Sequence, residues 1–345
     1  MSTKPIIECV ANFSHGKPGF ILDNIIRSIN NISGQKLLHI DSNLAANRTV
    51  LTFAGNPEAV VEAAFQAIKK AGTLIDMRNQ EGVHPRIGAT DVCPLVPIRN
   101  IKMDRVVHYA KILAERVGNE LAIPVYLYEH SALANYRKFL PQIRKGGYEG
   151  LTDKMKLPEW IPDYGPHWSL ETEESIKKSG AIVIGARTIL VAFNISLNTK
   201  NIDIAQRIAE KVRTIGYFSK KDNKRIPGTF KKLRAIGWYI EEFKHVQVSM
   251  NLLDYKISSP LQVFEQVKEI AAKEGIEVIG SELIGLIPEE CILEAGNFAL
   301  GVNSEDLYKK EDIIQAGVKH LKLNSVKEFN AEDHILEYAL RKFSL

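Results

Sequence analysis

The stretch KLLHIDSNLAANRTVLTFAGNPEAVVEAAFQAIKKAGTLI, residues 36–75, reads as two strands followed by a helix. Two β-branched or apolar runs, KLLHID (36–41) and TVLTF (49–53), are separated by residues 42–48, a spacing that suits a hairpin-type connection. Asn56-Pro57 then opens a helix: Asn56 suits the N-cap and Pro57 the first helical position, where a missing N–H costs nothing. Val60, Val61, Ala64, Ile68, Ala71 and Ile75 recur at helical spacing and form one buried stripe. Working outward, residues 6–13 read as a strand, and 19–31 as a helix with Ile21, Ile25, Ile26 and Ile29 on one face. VCPLVPI (92–98) follows as a strand that its prolines should confine to a sheet edge. The order is βαββαβ, with an added helix over 104–121 and an added strand at 125–128.

The second half repeats that order. Residues 188–197 read as a strand, 202–215 as a helix, and 233–241 and 246–252 as strands. Ser259-Pro260-Leu261-Gln262 has the form of a capping box with proline at the first position; a strand over 276–287 and a helix from Pro288 complete the repeat. The fold class is therefore read as α+β, two ferredoxin-like βαββαβ subdomains. They divide as 1–180 and 181–345, the second ending in a helical tail. Between the halves, 146–180 carries Pro158, Pro162, Pro166, Trp160, Tyr164 and Trp168, which fits equally a ligand-contacting loop and a domain-packing linker. Its charged run, Glu171, Glu173, Glu174, Lys177 and Lys178, is expected on an exposed extension, because these groups resist burial together.

Composition narrows the function classes. With 45% hydrophobic and 25% charged residues the chain is far from the signature of disorder, and 345 residues favour two domains. A net charge of +4 is too weak to imply nucleic acid and is compatible with small anionic substrates. Cys9, Cys93 and Cys291 are distant and odd in number, which excludes a disulfide framework or CxxC zinc ribbon and fits a reducing cytoplasm. No apolar leader and no run of membrane-spanning length is present, so neither secretion nor a membrane span is expected.

No GxxxxGK[ST], GxGxxG after a strand, HExxH or GxSxG occurs. His84 stands out instead, in the Gly/Pro-bounded loop EGVHPRIG (81–88) between a helix and a strand, where side chains reach clefts; a packing or surface histidine is the plainer alternative. The turn holding Asp41, Ser42, Asn43, Asn47 and Arg48 is either simple turn chemistry or a site. As a site, a carboxylate would hold an imidazole and Arg48 would fork onto a substrate carboxylate. A metal centre of His84, Asp91 and Cys93 matches by residue type without matching any ligand spacing.

At this point an ordered set of motifs accumulates: ECVANFS (8–14), ANRTVLTFAG (46–55), LIDMR (74–78), HPRIGATDVCPLVPI (84–98), VYLY (125–128), WIPDYGP (160–166), GAR (185–187), IGWYIEE (236–242) and VSMNLLDY (248–255). Over nearly its whole length the chain resembles the formiminotransferase family, the folate-dependent glutamate formiminotransferases. The resemblance implies two ferredoxin-like subdomains whose sheets face a folate-binding tunnel. It also implies metal-free transfer of a formimino group from N-formimino-L-glutamate to N5 of tetrahydrofolate, a co-substrate. It covers only the transferase part of the bifunctional members, so cyclodeaminase chemistry is not expected. By motif, the catalytic histidine falls on His84 and its acidic partner on Asp41, with the imidazole titrating near its ordinary value. Asn47, Arg48, Arg86, Tyr164, Gly165, Pro166 and Arg187 become the candidates for substrate and folate contacts, because guanidinium binds carboxylates bidentately and the WIPDYGP loop belongs to folate. Should His84 fail, His15 or His167 comes next. Ala11 stands where the family commonly has proline, His15 where it has glutamate and Ile182 where it has threonine, and the loop after Pro166 is longer.

Formyl transfer between 5-formyltetrahydrofolate and glutamate would use the same site, and a non-catalytic folate binder is a further alternative. An RNA-binding reading shares the βαββαβ order, but neither 49–53 nor 246–252 resembles the aromatic RNP1 pattern. The expected partners are small molecules, with a homodimer as the common default for oligomeric state.

Overall fold

A computed structural model of the chain describes residues 4–44, 46–82, 84–241, 243–301 and 307–342. Ala45 of the polar turn, Val83 of the His84 loop and Glu242 of IGWYIEE lie outside them. The chain divides into two compact units, the first running to Arg187 and the second spanning Thr188–Lys342.

In the first unit the elements run β1 (Ile6–Phe13), α1 (Phe20–Asn30), β2 (Gln35–Asn43), β3 (Arg48–Gly55), α2 (Pro57–Leu74), β4 (Thr90–Arg99), α3 (Met103–Leu121) and β5 (Val125–Glu129). Three short helices follow, α4 (Leu140–Arg144), α5 (Leu151–Met155) and α6 (Glu173–Ser179), and then β6 (Ile182–Ala186). The strands form one sheet in the order β2-β3-β1-β4-β6-β5, antiparallel from β2 to β4 and parallel across β6. Alternation along β1 sends Ile7, Cys9, Ala11 and Phe13 into a core shared with Leu51 and Phe53 of β3 and the apolar stripes of α1, α2 and α3. The helix start read at Asn56 is present: its side-chain oxygen accepts the Ala59 N–H at 2.8 Å, with Pro57 next in line.

Two expectations are corrected here. The proline-bearing strand β4 is interior, flanked by β1 and β6. It tolerates its prolines because Pro97 lies past Leu95, the last β4 residue in register with β6. Pro94 falls between the Cys9↔Leu95 and Asn12↔Val92 pairs, so neither ring interrupts continuous ladders on both sides. The charged run after Trp168 is not a free extension. From Glu173 on it forms α6, whose Ile176 is fully buried with Ile143, Leu151, Met155, Tyr126, Tyr128 and Val183 in a second core, with Trp160 and Trp168 packed against it. Glu171, Glu174 and Lys178 are exposed, so the helix hides one apolar residue while its charges stay in water. Segment 146–180 thus packs on its own unit, and β6, which falls after position 180, pairs with β4 and β5 of the first unit's sheet.

The second unit runs β7 (Val191–Leu197), α7 (Ile202–Val212), a small hairpin of β8 (Tyr217–Ser219) and β9 (Lys224–Ile226), β10 (Leu233–Ile240), β11 (His245–Leu252), α8 (Pro260–Lys273) and β12 (Val278–Ile284). Helices α9 (Glu289–Leu300), α10 (Lys310–His320), α11 (Ala331–His334) and α12 (Leu336–Lys342) follow. The main sheet has the order β10-β11-β7-β12, all antiparallel. Its second–third–first–fourth arrangement is the one that β2-β3-β1-β4 adopts in the first unit. The Ser259 capping box forms, the hydroxyl accepting the Gln262 N–H and the Gln262 side chain accepting from Ser259. No helix among the described residues is long and apolar enough to cross a membrane.

Candidate active site

Three loops of the first unit meet where β1 ends, β2 turns into β3, and α2 hands over to β4. Gly16 lets them meet, since a Cβ there would lie 2.2 Å from the Asn43 carbonyl oxygen. Asn47, in the left-handed region at φ 45°, ties them together. Its Oδ1 accepts the Gly16 N–H at 2.9 Å, and its Nδ2 donates to the Gln80 side chain and, at 2.6 Å, to the Glu81 carbonyl. A short polar asparagine is one of the few non-glycine residues at ease in that conformation. The loop before β4 is anchored from inside: the register of β1 and β4 steps from Asn12↔Val92 to Phe13↔Thr90, leaving Asp91 as the extra residue of a bulge. Such a bulge re-aims its side chain. Asp91 Oδ1 accepts the Ile87 N–H at 3.0 Å, and its carboxylate pairs with Arg144 at the end of α4.

A small pocket results, lined by Asn12, Phe13, Ser14, Ala46, Asn47, Arg48, His84, Arg86 and Asp91. Arg48 Nη1 lies 2.7 Å from His84 Nε2. A guanidinium can only donate, so Nε2 is the acceptor and the ring proton sits on Nδ1. The His84 pKa is pushed down to about 2, first by loss of water contact and then by the charges of Arg48, Arg144 and Arg86, against a hydrogen bond to the Pro85 backbone that favours the cation. This corrects the expectation of a value near the ordinary one: the free site holds a neutral imidazole among three guanidinium groups. Arg48 is itself pushed down by burial, with Asp41 and Asp91 countering and Arg144 adding to the depression. Arg86 donates through Nη2 to the Gln80 carbonyl at 2.7 Å and to Glu149 at 2.9 Å, and its buried Nε has no acceptor.

The expected residues separate into groups. His84, Arg48, Arg86 and Asn47 come together in the pocket. Asp41, buried on β2 opposite Val50, exerts its charge on Arg48, while the ring's own hydrogen bonds run to Arg48 and the Pro85 backbone. Tyr164, Gly165 and Pro166 are not among the pocket's lining residues. The Tyr164 carbonyl accepts the Val125 N–H at 2.9 Å, and Gly165, at φ 85°, backs onto Gly118 of α3, so this turn covers the edge of β5. Arg187 follows β6, four residues past the Val92↔Val183 pair and so roughly 13 Å along the sheet at ~3.3 Å per residue. There its charge acts on Tyr128 and Cys9. His15 is half-buried on the adjacent loop, its pKa lowered by loss of water contact, and His167 is exposed. The metal reading loses its donors: the Cys93 and Cys9 sulfurs lie 3.4 Å apart in the helix-side core, while Asp91 is engaged by Arg144. No metal-holding group of His, Cys, Asp or Glu occurs among the described residues.

Arg144 and Glu149 were not anticipated. Arg144 reaches Asp91 on β4 across 53 residues and Glu149 reaches Arg86 of the His84 loop across 63, from a stretch that carries no motif signal, and only the fold brings them in. Glu8, buried on the same face of β1 as Asn12, is a further carboxylate the sequence did not single out, although the strand's alternation places it there.

Comparison with known proteins agrees along the chain. Residues 6–187 match the model of the formiminotransferase domain, N-terminal subdomain, and residues 192–341 that of the formiminotransferase domain. Formimidoyltransferase-cyclodeaminase of Rattus norvegicus is 42% identical over 334 residues, 96% of this chain and 59% of the relative. That of Gallus gallus is 40% identical over 97% of this chain and 60% of its own length. The chain therefore spans about 60% of these relatives. Glutamate formimidoyltransferase of Streptococcus pyogenes serotype M1 is 40% identical over 305 residues, 88% of this chain and 96% of that protein.

Proposed function

The chain belongs to the formiminotransferase family, and from that premise we propose that it is a glutamate formimidoyltransferase. It moves a formimino group from N-formimino-L-glutamate to N5 of tetrahydrofolate and releases glutamate. The observation that carries this reading is the neutral His84 imidazole, held at 2.7 Å by Arg48 within a polar pocket that also holds Arg86. Tetrahydrofolate supplies the nucleophilic N5 amine. His84 then has two duties: to take the proton that N5 loses as its bond to the formimino carbon forms, and to deliver a proton to the glutamate nitrogen as the old C–N bond breaks. Arg48 and the buried Nε of Arg86 are the donors for the carboxylates of the glutamate moiety. Asp41 balances the charge of Arg48, and Asn47 keeps the three loops in register. Tyr164, Gly165, Pro166 and Arg187 are kept as contacts to the remainder of the folate.

Each unit is read as ferredoxin-like, which the strand order common to both sheets supports; we retain the division into an N-terminal and a C-terminal formiminotransferase subdomain. A cytoplasmic homodimer completes the reading, supported for the compartment by three buried free thiols. The test is turnover by purified protein with tetrahydrofolate and N-formimino-L-glutamate, beside 5-formyltetrahydrofolate and glutamate in a parallel reaction. Faster formimino transfer is expected; formyl transfer alone would replace the donor, and no turnover with either would refute the enzyme.

A further inference from the structure

The contact that holds His84 in place also disables it. In the free protein both ring nitrogens are engaged, Nε2 by Arg48 and Nδ1 by the Pro85 backbone. The space left beside the ring is about 10 Å³, on the order of one water molecule. No substrate atom reaches the lone pair on Nε2 while Arg48 stays where it is. We infer that Arg48 is a carboxylate-operated cover on His84: an anionic carboxylate of the donor draws the guanidinium away, which opens the pocket and releases the imidazole for proton transfer. This rests on the formiminotransferase reading of the site and adds to it an order of events, donor binding before base exposure.

The chemistry favours the exchange. A neutral ring nitrogen offers Arg48 one acceptor, whereas a carboxylate offers two and carries the opposite charge. The other two arginines around the ring already have carboxylate partners. Arg144 on α4 is committed to Asp91 on β4, and Arg86, on the histidine's own loop, to Glu149 beyond α4. Asp41 on β2 balances Arg48 from behind. Arg48 is thus the cation whose partner on the ring side is an uncharged acceptor. When a carboxylate neutralises it, the ring loses its nearest repelling charge and regains proton affinity, as an acid–base group working near neutrality requires.

The test uses the full chain labelled with ¹⁵N-histidine, with the His84 signals assigned by their loss in His84→Gln, over about pH 5 to 8, where an ordinary imidazole titrates. The probes are N-acetyl-L-glutamate, which cannot transfer a formimino group, and its uncharged diamide. In the free protein Nε2 should show the unprotonated form throughout. N-acetyl-L-glutamate should bring the His84 titration up into this pH window, while the diamide should leave Nε2 unprotonated throughout. Arg48→Met should raise the His84 pKa without ligand and abolish the response to N-acetyl-L-glutamate. Because that change leaves Asp41 without its countercharge, Arg48→Met/Asp41→Asn removes both charges and provides a second reading. A free imidazole that already titrates normally, or the same response to N-acetyl-L-glutamate in the Arg48 variants, overturns the cover. Formimino transfer measured in parallel separates the two claims. Transfer without an imidazole response retires the cover alone, and a response without transfer supports the cover and retires the assigned reaction.

Discussion

Below pH ~6.5 an ordinary histidine takes up a proton, but His84 is pushed down to about 2 by lost water contact and its arginine neighbours. The unfolded chain therefore binds a proton that the folded chain refuses. The associated stability is fully present above pH ~6.5 and declines as pH falls towards the folded value. Thermal unfolding between about pH 7 and 5 should accordingly show a Tm that falls less steeply in His84→Gln than in the wild type; equal slopes would mean that the ring is protonated in the folded protein. A second residue-scale consequence concerns Asp91, 2% exposed and paired with Arg144. Arg144→Met leaves that carboxylate buried and unpaired and should cost about 3–5 kcal/mol in denaturant unfolding, much of it restored in Arg144→Met/Asp91→Asn. A loss under about 1 kcal/mol in the single variant would show that water satisfies Asp91. His84 and Arg48 were legible because each sits in a short motif beside strong secondary-structure signals. The partnership of Arg144 and Asp91 was not, because a pair 53 positions apart leaves no periodic trace.

Among the elements, α2 and α8 were legible to the residue at their starts, since Asn56-Pro57 and Ser259-Pro260 are local chemistry that tertiary packing did not override. Strand β4 and helix α6 were misread for opposite reasons. Proline is a local signal for an edge, yet the strand beside it decides whether an N–H is needed: Pro97 lies beyond the β6 register, and Pro94, opposite Gly185 of β6, is absent from the β1 register. In α6 the charges dominate the composition, while a single residue, Ile176, decides placement. Ile176→Ala should lower stability by about 2–5 kcal/mol, the usual cost of emptying a core position. Glu174→Ala, on the exposed side, should stay within ~0.5 kcal/mol. Near-equal effects in urea unfolding would return the segment to the status of a surface extension.

Over the whole molecule, the repeated strand order was legible because helical and strand periodicities recur in the same order in both halves, and β10-β11-β7-β12 takes the arrangement that β2-β3-β1-β4 has within the first sheet. The parallel addition of β6 and β5 was not, because pairing between strands separated by a long connection has no local signature. The His84 pocket is assembled wholly from the first unit, from strands β1, β3 and β4 and the loops at their ends. Chemistry at that pocket should therefore be lost through a single side chain without loss of the fold. The most direct test is steady-state formimino transfer by His84→Gln and wild type, with substrate affinities and circular dichroism measured alongside. The variant should show a kcat lower by roughly 10²–10⁴, with KM changed little and the spectrum unchanged. A variant that turns over within a few-fold of wild type would contradict the role assigned to His84.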